Sequence, residues 1–324
     1  MIPRRCFDMN ELFLLSCAEV KEGGGIYKYG FSEHGQLKKI AYMPCDKPMY
    51  AVVNGDRLYI LLRAPFENND NSGFLSCKTD FSDVTSIGDT LGKCACHLAV
   101  DAEDSYIVNY LSGNIVKNCS LSRIHEGRGP NLPRQDMPHT HFTAFSPDKQ
   151  YVLCCDLGLD TVFIYDRNLN EVSRAKVPDG YGVRHLVFSN DGHTVYAVNE
   201  LFPSVSVFSF SGDRLSLKST VTIPCKNQNS IAAAIRLSTD GKTLFVSVRG
   251  ENAVFVFGVD GESLQLKTQF DCGGDSPRDI GLVGGYVVCT NENSNTVTVI
   301  EAKDYRIVEN IRLPHPLCVL MTSE

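Results

Sequence analysis

Short apolar and polar runs alternate along most of this 324-residue chain, and one arrangement of them occurs more than once. The segment Pro138–Asp166 holds a histidine, an apolar run, a Ser-x-Asp turn and two alternating strands separated by a polar bend. The segment Val183–Phe210 repeats this order about 44 residues later. Alternation with a period of two, interrupted by turn residues, predicts β-hairpins. A repeat of this length matches the ~40–50 residues of one blade of a β-propeller.

The pattern predicts further units on both sides of this pair. They begin near Pro48, His97, Ala232 and Arg278. What remains is half a blade at the N-terminus and one apolar strand near the C-terminus, His315–Met321. If these two pieces pair, the ring closes and no strand edge is left exposed. The prediction is therefore an all-β, seven-bladed β-propeller of four-stranded antiparallel blades, closed by pairing of the N- and C-terminal strands, with residues 1–324 forming a single domain.

Antiparallel pairing within a blade predicts which polar residues meet. The chain enters the innermost strand at one face, and the bend between the second and third strands returns to that face, while the Ser-x-Asp turns lie on the other. One mouth of the central channel should therefore gather His139, His141, Arg184, His185, Arg236 and Arg278 from the strand starts, and Asn109, Asp156, Asn199, Glu200, Arg249, Asn291 and Glu292 from the bends.

Each of these positions also has a structural interpretation. Histidines at a strand start, such as His97 and His185, can hydrogen-bond a neighbouring turn, and Asn or Asp in bends often caps the turn. Charged side chains rarely point into a partly enclosed channel without a partner, so Arg184 and Arg249 suggest a ligand that carries carboxylate or phosphate. If both arginines instead pair with Glu200, loss of either would destabilise the fold.

Composition narrows the range of partners and compartments. The net charge of −7 and the isoelectric point near 5.6 argue against nucleic acid. The thirteen cysteines are scattered through apolar strands, as expected for small apolar side chains in a reducing compartment. Cys94 and Cys96 have no second pair or histidine at zinc spacing, so we expect no metal.

No stretch approaches the ~18 apolar residues of a membrane span. The apolar run Leu12–Leu15 is too short for the core of a signal peptide. We expect a cytoplasmic protein without a membrane partner, either a monomer or a weak homo-oligomer.

Several segments together resemble a known family. They are PHTHFTAFSPDKQYVLCCDLGLDTVFIYD, VRHLVFSNDGHTVYAVNE and VSVRGENAVFVF, with the tract GRGPNLPRQDMPHTH and the bend NYLSGN. They resemble the seven-bladed propeller lactonases, which include one type of 6-phosphogluconolactonase and the fungal carboxy-cis,cis-muconate lactonising enzyme. The resemblance spans nearly the whole chain. Val248, Arg63 and Ala64 depart from the family's usual residues, which bears on the substrate more than on the fold.

The resemblance implies an active site at the channel mouth. Its motifs place the catalytic residues at His141, Arg184, Glu200 and Arg249. Around these four, we predict that the substrate is bound by His139, His185, Asn199, Asn109, Asp156 and Arg278.

These residue types suit lactone hydrolysis. Glu200 or His141 can activate a water for attack on the ring ester, while one arginine stabilises the oxyanion and another holds an anionic group. The chain has no GxSxG motif and no acidic cluster of the kind found in calcium-dependent lactonases. We therefore expect a metal-independent hydrolase without a cofactor, acting on a small anionic lactone such as 6-phosphoglucono-1,5-lactone.

Two other functions remain open from the sequence. The first is reversible lactonisation of 3-carboxy-cis,cis-muconate, in which the arginines would bind carboxylates. The second is a non-catalytic propeller that binds a ligand or a protein. Absence of tryptophan, and hence of the WD dipeptide, counts against the second function.

Overall fold

The structure is a computed structural model that describes residues 10–63, 65–66 and 69–321. In these ranges the only helix is a short 3-10 helix, Val20–Glu22, and the other regular elements are strands. In chain order the strands are β1 (Asn10–Ser16), β2 (Gly25–Phe31), β3 (Leu37–Pro44), β4 (Pro48–Asn54), β5 (Arg57–Leu62), β6 (Gly73–Lys78), β7 (Thr85–Asp89), β8 (Ala95–Val100), β9 (Ser105–Asn109), β10 (Asn114–Lys117), β11 (Leu121–Ile124), β12 (Thr140–Phe145), β13 (Tyr151–Asp156), β14 (Thr161–Asp166), β15 (Glu171–Lys176), β16 (Val183–Phe188), β17 (Thr194–Asn199), β18 (Ser204–Ser211), β19 (Arg214–Thr222), β20 (Ile231–Leu237), β21 (Thr243–Arg249), β22 (Ala253–Asp260), β23 (Ser263–Asp271), β24 (Pro277–Val283), β25 (Tyr286–Asn291), β26 (Thr296–Glu301), β27 (Ile307–Arg312) and β28 (Pro316–Met321).

The strands form seven antiparallel sheets of four strands each. In six sheets the strands follow chain order, and in the seventh the order is β28-β1-β2-β3. The strands β4, β8, β12, β16, β20, β24 and β28 contact one another in sequence around a closed ring, which makes them the innermost strand of each blade. The predicted seven-bladed propeller and its closure by the terminal strands are confirmed.

The N-terminal part of the closing blade is larger than predicted. It contributes three strands rather than a hairpin, because Leu37–Pro44 pairs along Gly25–Phe31. This outer strand is largely exposed, so it lacks the apolar alternation that reveals inner strands. The run Leu12–Leu15 lies fully buried inside the second strand of this blade.

The core lies between neighbouring blades. One cluster, for example, combines Leu153 and Ile164 of the fourth blade with Val183 and Val195 of the fifth. Along the same strands they alternate with residues such as Val152 and Cys154, which pack against the blade on the other side. Packing on both sides holds the inner strands rigidly, and this rigidity carries over to the side chains at their ends.

Buried cysteines belong to this core. Cys154, Cys155 and Cys289 are fully buried, and burial raises the pKa of each thiol well above its usual value. The cysteines in the described ranges are free thiols. None of the helices in the described part of the chain has the length and apolar character needed to cross a membrane.

The strand register brings strand starts and bends to one mouth, with one exception. Thr140 at the start of its strand lies opposite Asp156, and Asp156 in turn lies opposite Thr161 across the next pair. The prediction for Arg236 is wrong. The mouth end of its strand is Ile231, which pairs with Arg249, whereas Arg236 pairs with Phe245 towards the other end.

Candidate active site

Each innermost strand carries a β-bulge near the mouth, where the pairing with the next strand skips one residue, or two in the sixth blade. A bulge redirects a side chain out of the regular alternation. Most of the skipped residues line a single narrow cavity of about 30 Å³ in the channel, which has room for about one water molecule. They are Met49, Cys96, His141, Arg184, Arg278 and Leu317.

Glu200 lies at the centre of the polar part of this mouth. It directly follows the strand Thr194–Asn199, and its side chain is almost fully buried. Its Oε2 accepts from Arg184 Nε at 2.9 Å and lies 3.0 Å from Arg249 Nη2. Its Oε1 accepts from Arg134 Nη2 at 2.5 Å. One buried carboxylate thus joins three guanidinium groups.

These contacts determine the charge of Glu200. Burial alone would raise the pKa of its carboxyl, but the positive charges of Arg249, Arg184 and Arg134 outweigh burial and hold that pKa well below 4.5. Glu200 is therefore an anion at neutral pH. A carboxylate with so low a pKa and with both oxygens engaged is a weak general base.

Arg184 and Arg249 are oriented by backbone as well as by Glu200. Arg184 Nη1 donates to Ala233 O at 2.8 Å, and Arg249 Nη2 donates to Ala232 O at 3.2 Å. Burial lowers the pKa of both guanidinium groups from the usual value. Of the two arrangements considered from the sequence, the structure has the one in which both arginines pair with Glu200. The Nε of Arg249 is buried and has no partner among the described residues.

His141 lies beside this cluster with one nitrogen free. Its ring is buried, and its Nδ1 has no hydrogen-bond partner among the described residues. Burial, reinforced by the charge of Arg184, lowers the pKa of His141 well below 6.5, while Glu200 acts in the opposite direction. His141 is therefore a neutral imidazole at neutral pH.

The other two predicted histidines have structural contacts at the mouth. His185 Nε2 accepts from Arg184 Nη1 at 3.0 Å, and its ring packs 5.2 Å from the His141 ring. His139 Nδ1 donates to the Tyr110 carbonyl at 3.0 Å, and its ring stacks on the Tyr110 ring at 4.4 Å. Both hold neighbours of the cluster in place.

Three further predicted residues use their polar groups to hold the bends. They are Asn109, Asp156 and Asn199, all fully buried. Asn109 exchanges two hydrogen bonds with Thr90. Asp156 accepts from His125 Nδ1 at 2.6 Å and from the backbone N of His139 at 2.8 Å. Asn199 Nδ2 donates to the hydroxyls of Ser204 and Ser206. These contacts hold the bends in place, and the substrate-binding role of the three residues stays a prediction.

A second charged pair lies across the mouth from His141. Arg278 Nη1 is 3.3 Å from Glu292 Oε2, and both side chains are about one quarter exposed. Arg63 directly follows the strand Arg57–Leu62, whose last residue pairs with Pro48 at the mouth end of the innermost strand, so Arg63 lies at the mouth as well. Ala64 lies outside the described residues.

Sequence reasoning missed two residues of the site. Arg134, on the linker of residues 126–138, reaches Glu200, and the hydroxyl of Tyr110 lies 3.5 Å from Arg134 Nη2. The Tyr110 ring stands edge-on to the His141 ring at 5.6 Å. The linker lacks periodicity, so its sequence gives no sign of which side chain faces the mouth.

The broad protein class of this chain is shown by its match to a family profile. The profile described as "Lactonase, 7-bladed beta-propeller" matches residues 12–321. The chain belongs to this lactonase family. The match covers nearly all of the propeller, including the strand starts and bends that form the mouth.

Several proteins of known sequence or structure are similar to this lactonase-family chain over most of its length. An uncharacterized protein of Staphylococcus epidermidis is 34% identical over 311 residues, which cover 88% of this chain and 90% of that protein. A solved protein from Lactobacillus plantarum is 28% identical with a TM-score of 0.87, covering 97% of this chain and 99% of that one. The Pseudomonas aeruginosa periplasmic gluconolactonase PpgL is 23% identical with a TM-score of 0.85, covering 96% and 99% respectively.

Residues 10–63, 65–66 and 69–321 contain no group of three or more His, Cys, Asp or Glu side chains placed to hold a metal ion.

The buried histidines predict a pH dependence of stability. Burial lowers the pKa of His97, His141 and His185 well below 6.5. Below that pH the unfolded chain binds protons at these sites and the folded chain does not. The free energy of unfolding therefore decreases as the pH is lowered below 6.5. Each histidine contributes up to about 1.4 kcal/mol per pH unit. Urea unfolding at pH 7.5, 6.5 and 5.5 measures the slope.

A matched variant controls for the other groups that titrate in this range. His193 is exposed, so His193→Gln should leave the slope unchanged, whereas His185→Gln should reduce it by about one third. A free energy of unfolding that stays constant from pH 7.5 to 5.5 would contradict the neutral, buried state of these histidines.

Proposed function

We propose that the mouth cluster hydrolyses a phosphorylated sugar lactone, with 6-phosphoglucono-1,5-lactone as the substrate. The observation that carries the proposal is the placement of a neutral His141 with a free nitrogen beside Glu200 and its three guanidinium groups. Such a site pairs a proton acceptor with fixed positive charge, as ester hydrolysis through an oxyanion requires. Among solved structures with the same fold, a Bacteroides fragilis protein described as a candidate 6-phosphogluconolactonase has a TM-score of 0.87 at 23% identity.

His141 is the general base in this proposal. It takes a proton from a water molecule as the water oxygen bonds to the lactone carbonyl carbon. The lowered pKa of His141 keeps the imidazole unprotonated at neutral pH, so the base is available without prior deprotonation. Glu200 is already bound by three guanidinium groups and serves to orient them.

Arg249 stabilises the oxyanion that forms on the carbonyl oxygen. Its Nε–H has no partner among the described residues, and its contact with Glu200 fixes the guanidinium plane. When the tetrahedral intermediate collapses, the ring C–O bond breaks and the ring oxygen takes the proton from the His141 imidazolium. The product is an open-chain hydroxy acid. Its carboxyl group is ionised at neutral pH, so one proton is released for each lactone hydrolysed.

Arginines around the reacting centre suit an anionic substrate. Arg278 and Arg63 both lie at the mouth, and the side chain of Arg278 is 27% exposed. Guanidinium groups bind phosphate and carboxylate strongly because they present several donors in one plane. A phosphate ester at one end of the sugar can meet a guanidinium group of the mouth while its lactone carbonyl lies near His141.

A substrate panel tests the proposal. We expect kcat/KM for 6-phosphoglucono-1,5-lactone to exceed the values for glucono-1,5-lactone and for the lactone of 3-carboxymuconate. The rates are measured as loss of lactone, with spontaneous hydrolysis subtracted. If the carboxymuconate lactone reacts faster than the phosphorylated lactone, the proposed substrate is wrong. If no lactone reacts faster than it does spontaneously, the non-catalytic alternative is favoured.

A further inference from the structure

One guanidinium group of the cluster around Glu200 differs from the other two in its exposure. The side chains of Arg184 and Arg249 are 3% and 11% exposed, whereas that of Arg134 is 40% exposed. The first two come from the rigid inner part of the propeller, and Arg134 comes from the linker of residues 126–138. Arg134 therefore has its guanidinium group at the boundary between the buried cluster and the open mouth.

Much of the hydrogen-bonding capacity of Arg134 is unused. Both of its hydrogen bonds, to Glu200 Oε1 and to the Tyr110 hydroxyl, come from Nη2. Its Nε and Nη1 donate to no residue in the described ranges, so three N–H groups remain for water or a ligand. The contact with Glu200 holds the guanidinium in place while these donors stay available.

The linker around Arg134 is held in place by its neighbour Gln135. The Gln135 side chain is fully buried, and its Nε2 donates to Leu157 O and to Asp160 Oδ1, each at 2.8 Å. Its Oε1 accepts from the backbone N of Asn131 at 3.0 Å. A fixed loop loses little conformational freedom when its side chain binds a ligand, so such a contact supports affinity efficiently.

The charges near Arg134 favour an anion that carries more than one negative charge. Three guanidinium groups surround a single carboxylate, so the cluster keeps a positive excess after Glu200 is counted. Asp136, the nearest acidic neighbour along the linker, lies 3.3 Å from His139 Nε2. A dianionic phosphate monoester complements this excess better than a neutral sugar does.

We propose that Arg134 is the specificity-determining residue of this site and that it binds the phosphate of a phosphorylated substrate directly. This inference rests on the proposed function for the identity of the reaction, but not for the binding of the anion. Arg134 thus binds the phosphate, whereas Arg249 stabilises the oxyanion that forms on the lactone carbonyl oxygen.

Kinetics on two substrates test the role of Arg134. In Arg134→Gln, KM for 6-phosphoglucono-1,5-lactone should rise about 10- to 100-fold with little change in kcat, since a ground-state contact to a charged group is lost. The rate with neutral glucono-1,5-lactone should stay within about twofold of the unmodified protein. Arg134→Lys, which keeps the charge, should recover part of the affinity.

A matched arginine on the same linker serves as the control. Arg128 is exposed and makes no hydrogen bond or ion pair with the described part of the chain, so Arg128→Gln should leave both substrates unaffected. If Arg134→Gln slows both lactones equally, or lowers kcat without raising KM, then Arg134 only supports Glu200 and the inference is overturned.

A binding measurement separates this inference from the proposed function. Calorimetric titration with 6-phosphogluconate and with inorganic phosphate should show binding to the unmodified protein and to Arg128→Gln, and at least about tenfold weaker binding to Arg134→Gln. If the unmodified protein binds 6-phosphogluconate through Arg134 but hydrolyses no lactone, the proposed function fails and the inference holds. Equal binding by both variants overturns the inference even if the protein is an active lactonase.

Discussion

Glu200→Gln is expected to lower the free energy of unfolding by about 3–5 kcal/mol, because it removes the carboxylate that neutralises a buried cluster of guanidinium groups. Arg184 is 3% exposed and would keep its charge without a counter-ion. The activity should fall as well, by at least about 100-fold in kcat/KM, since Arg249 would lose the contact that fixes its plane. Urea unfolding and lactone loss on the same preparation give both values.

A second glutamate provides the control for the stability effect. Glu301 pairs with Arg306 at 2.7 Å, but the Arg306 side chain is 63% exposed. Exposed pairs contribute about 0–1 kcal/mol, so Glu301→Gln should unfold nearly as the unmodified protein does. If Glu200→Gln is as stable as Glu301→Gln, then Glu200 is not the electrostatic centre that its contacts indicate.

His141→Gln should lower the activity strongly and leave the stability nearly unchanged. Loss of a general base lowers kcat by about 10²- to 10⁴-fold. Stability should change little, because Nδ1 of His141 makes no hydrogen bond that the substitution could break. The measurements are kcat for 6-phosphoglucono-1,5-lactone and the melting temperature.

The surface variant His193→Gln controls for the loss of a histidine in general, because His193 is exposed. It should match the unmodified protein in both kcat and melting temperature. A His141→Gln protein that keeps full kcat would remove His141 from the mechanism and return the role of base to Glu200.

The sequence predicted the propeller because each blade buries the same faces of its strands. In the fourth and fifth blades, apolar runs that include Leu153 and Val195 recur in the same order, and turn residues separate the strands. The position of Glu200 followed from antiparallel pairing, which returns its bend to the mouth. The pattern was weakest in exposed outer strands such as Leu37–Pro44, where packing places few constraints on the sequence.

The finer structure of the site could not be predicted in the same way. A bulge shifts one side chain out of the regular alternation, and no residue type marks it, since the skipped residues range from His141 to Leu317. Arg236 was wrongly assigned to the mouth because the residues skipped in the sixth blade are alanines, whereas those skipped in the fifth and seventh blades are arginines. Arg134 lies in a segment without periodicity, so its contact with Glu200 appears only in three dimensions.

The central claim is that the mouth of this propeller catalyses lactone hydrolysis, and the initial rate of 6-phosphoglucono-1,5-lactone loss at neutral pH tests it most directly. The rate is measured with the unmodified protein, with His141→Gln and without protein. We expect a rate well above spontaneous hydrolysis that rises in proportion to the concentration of the unmodified protein and falls towards the spontaneous rate with His141→Gln. Loss of the lactone at the spontaneous rate in all three samples would contradict it.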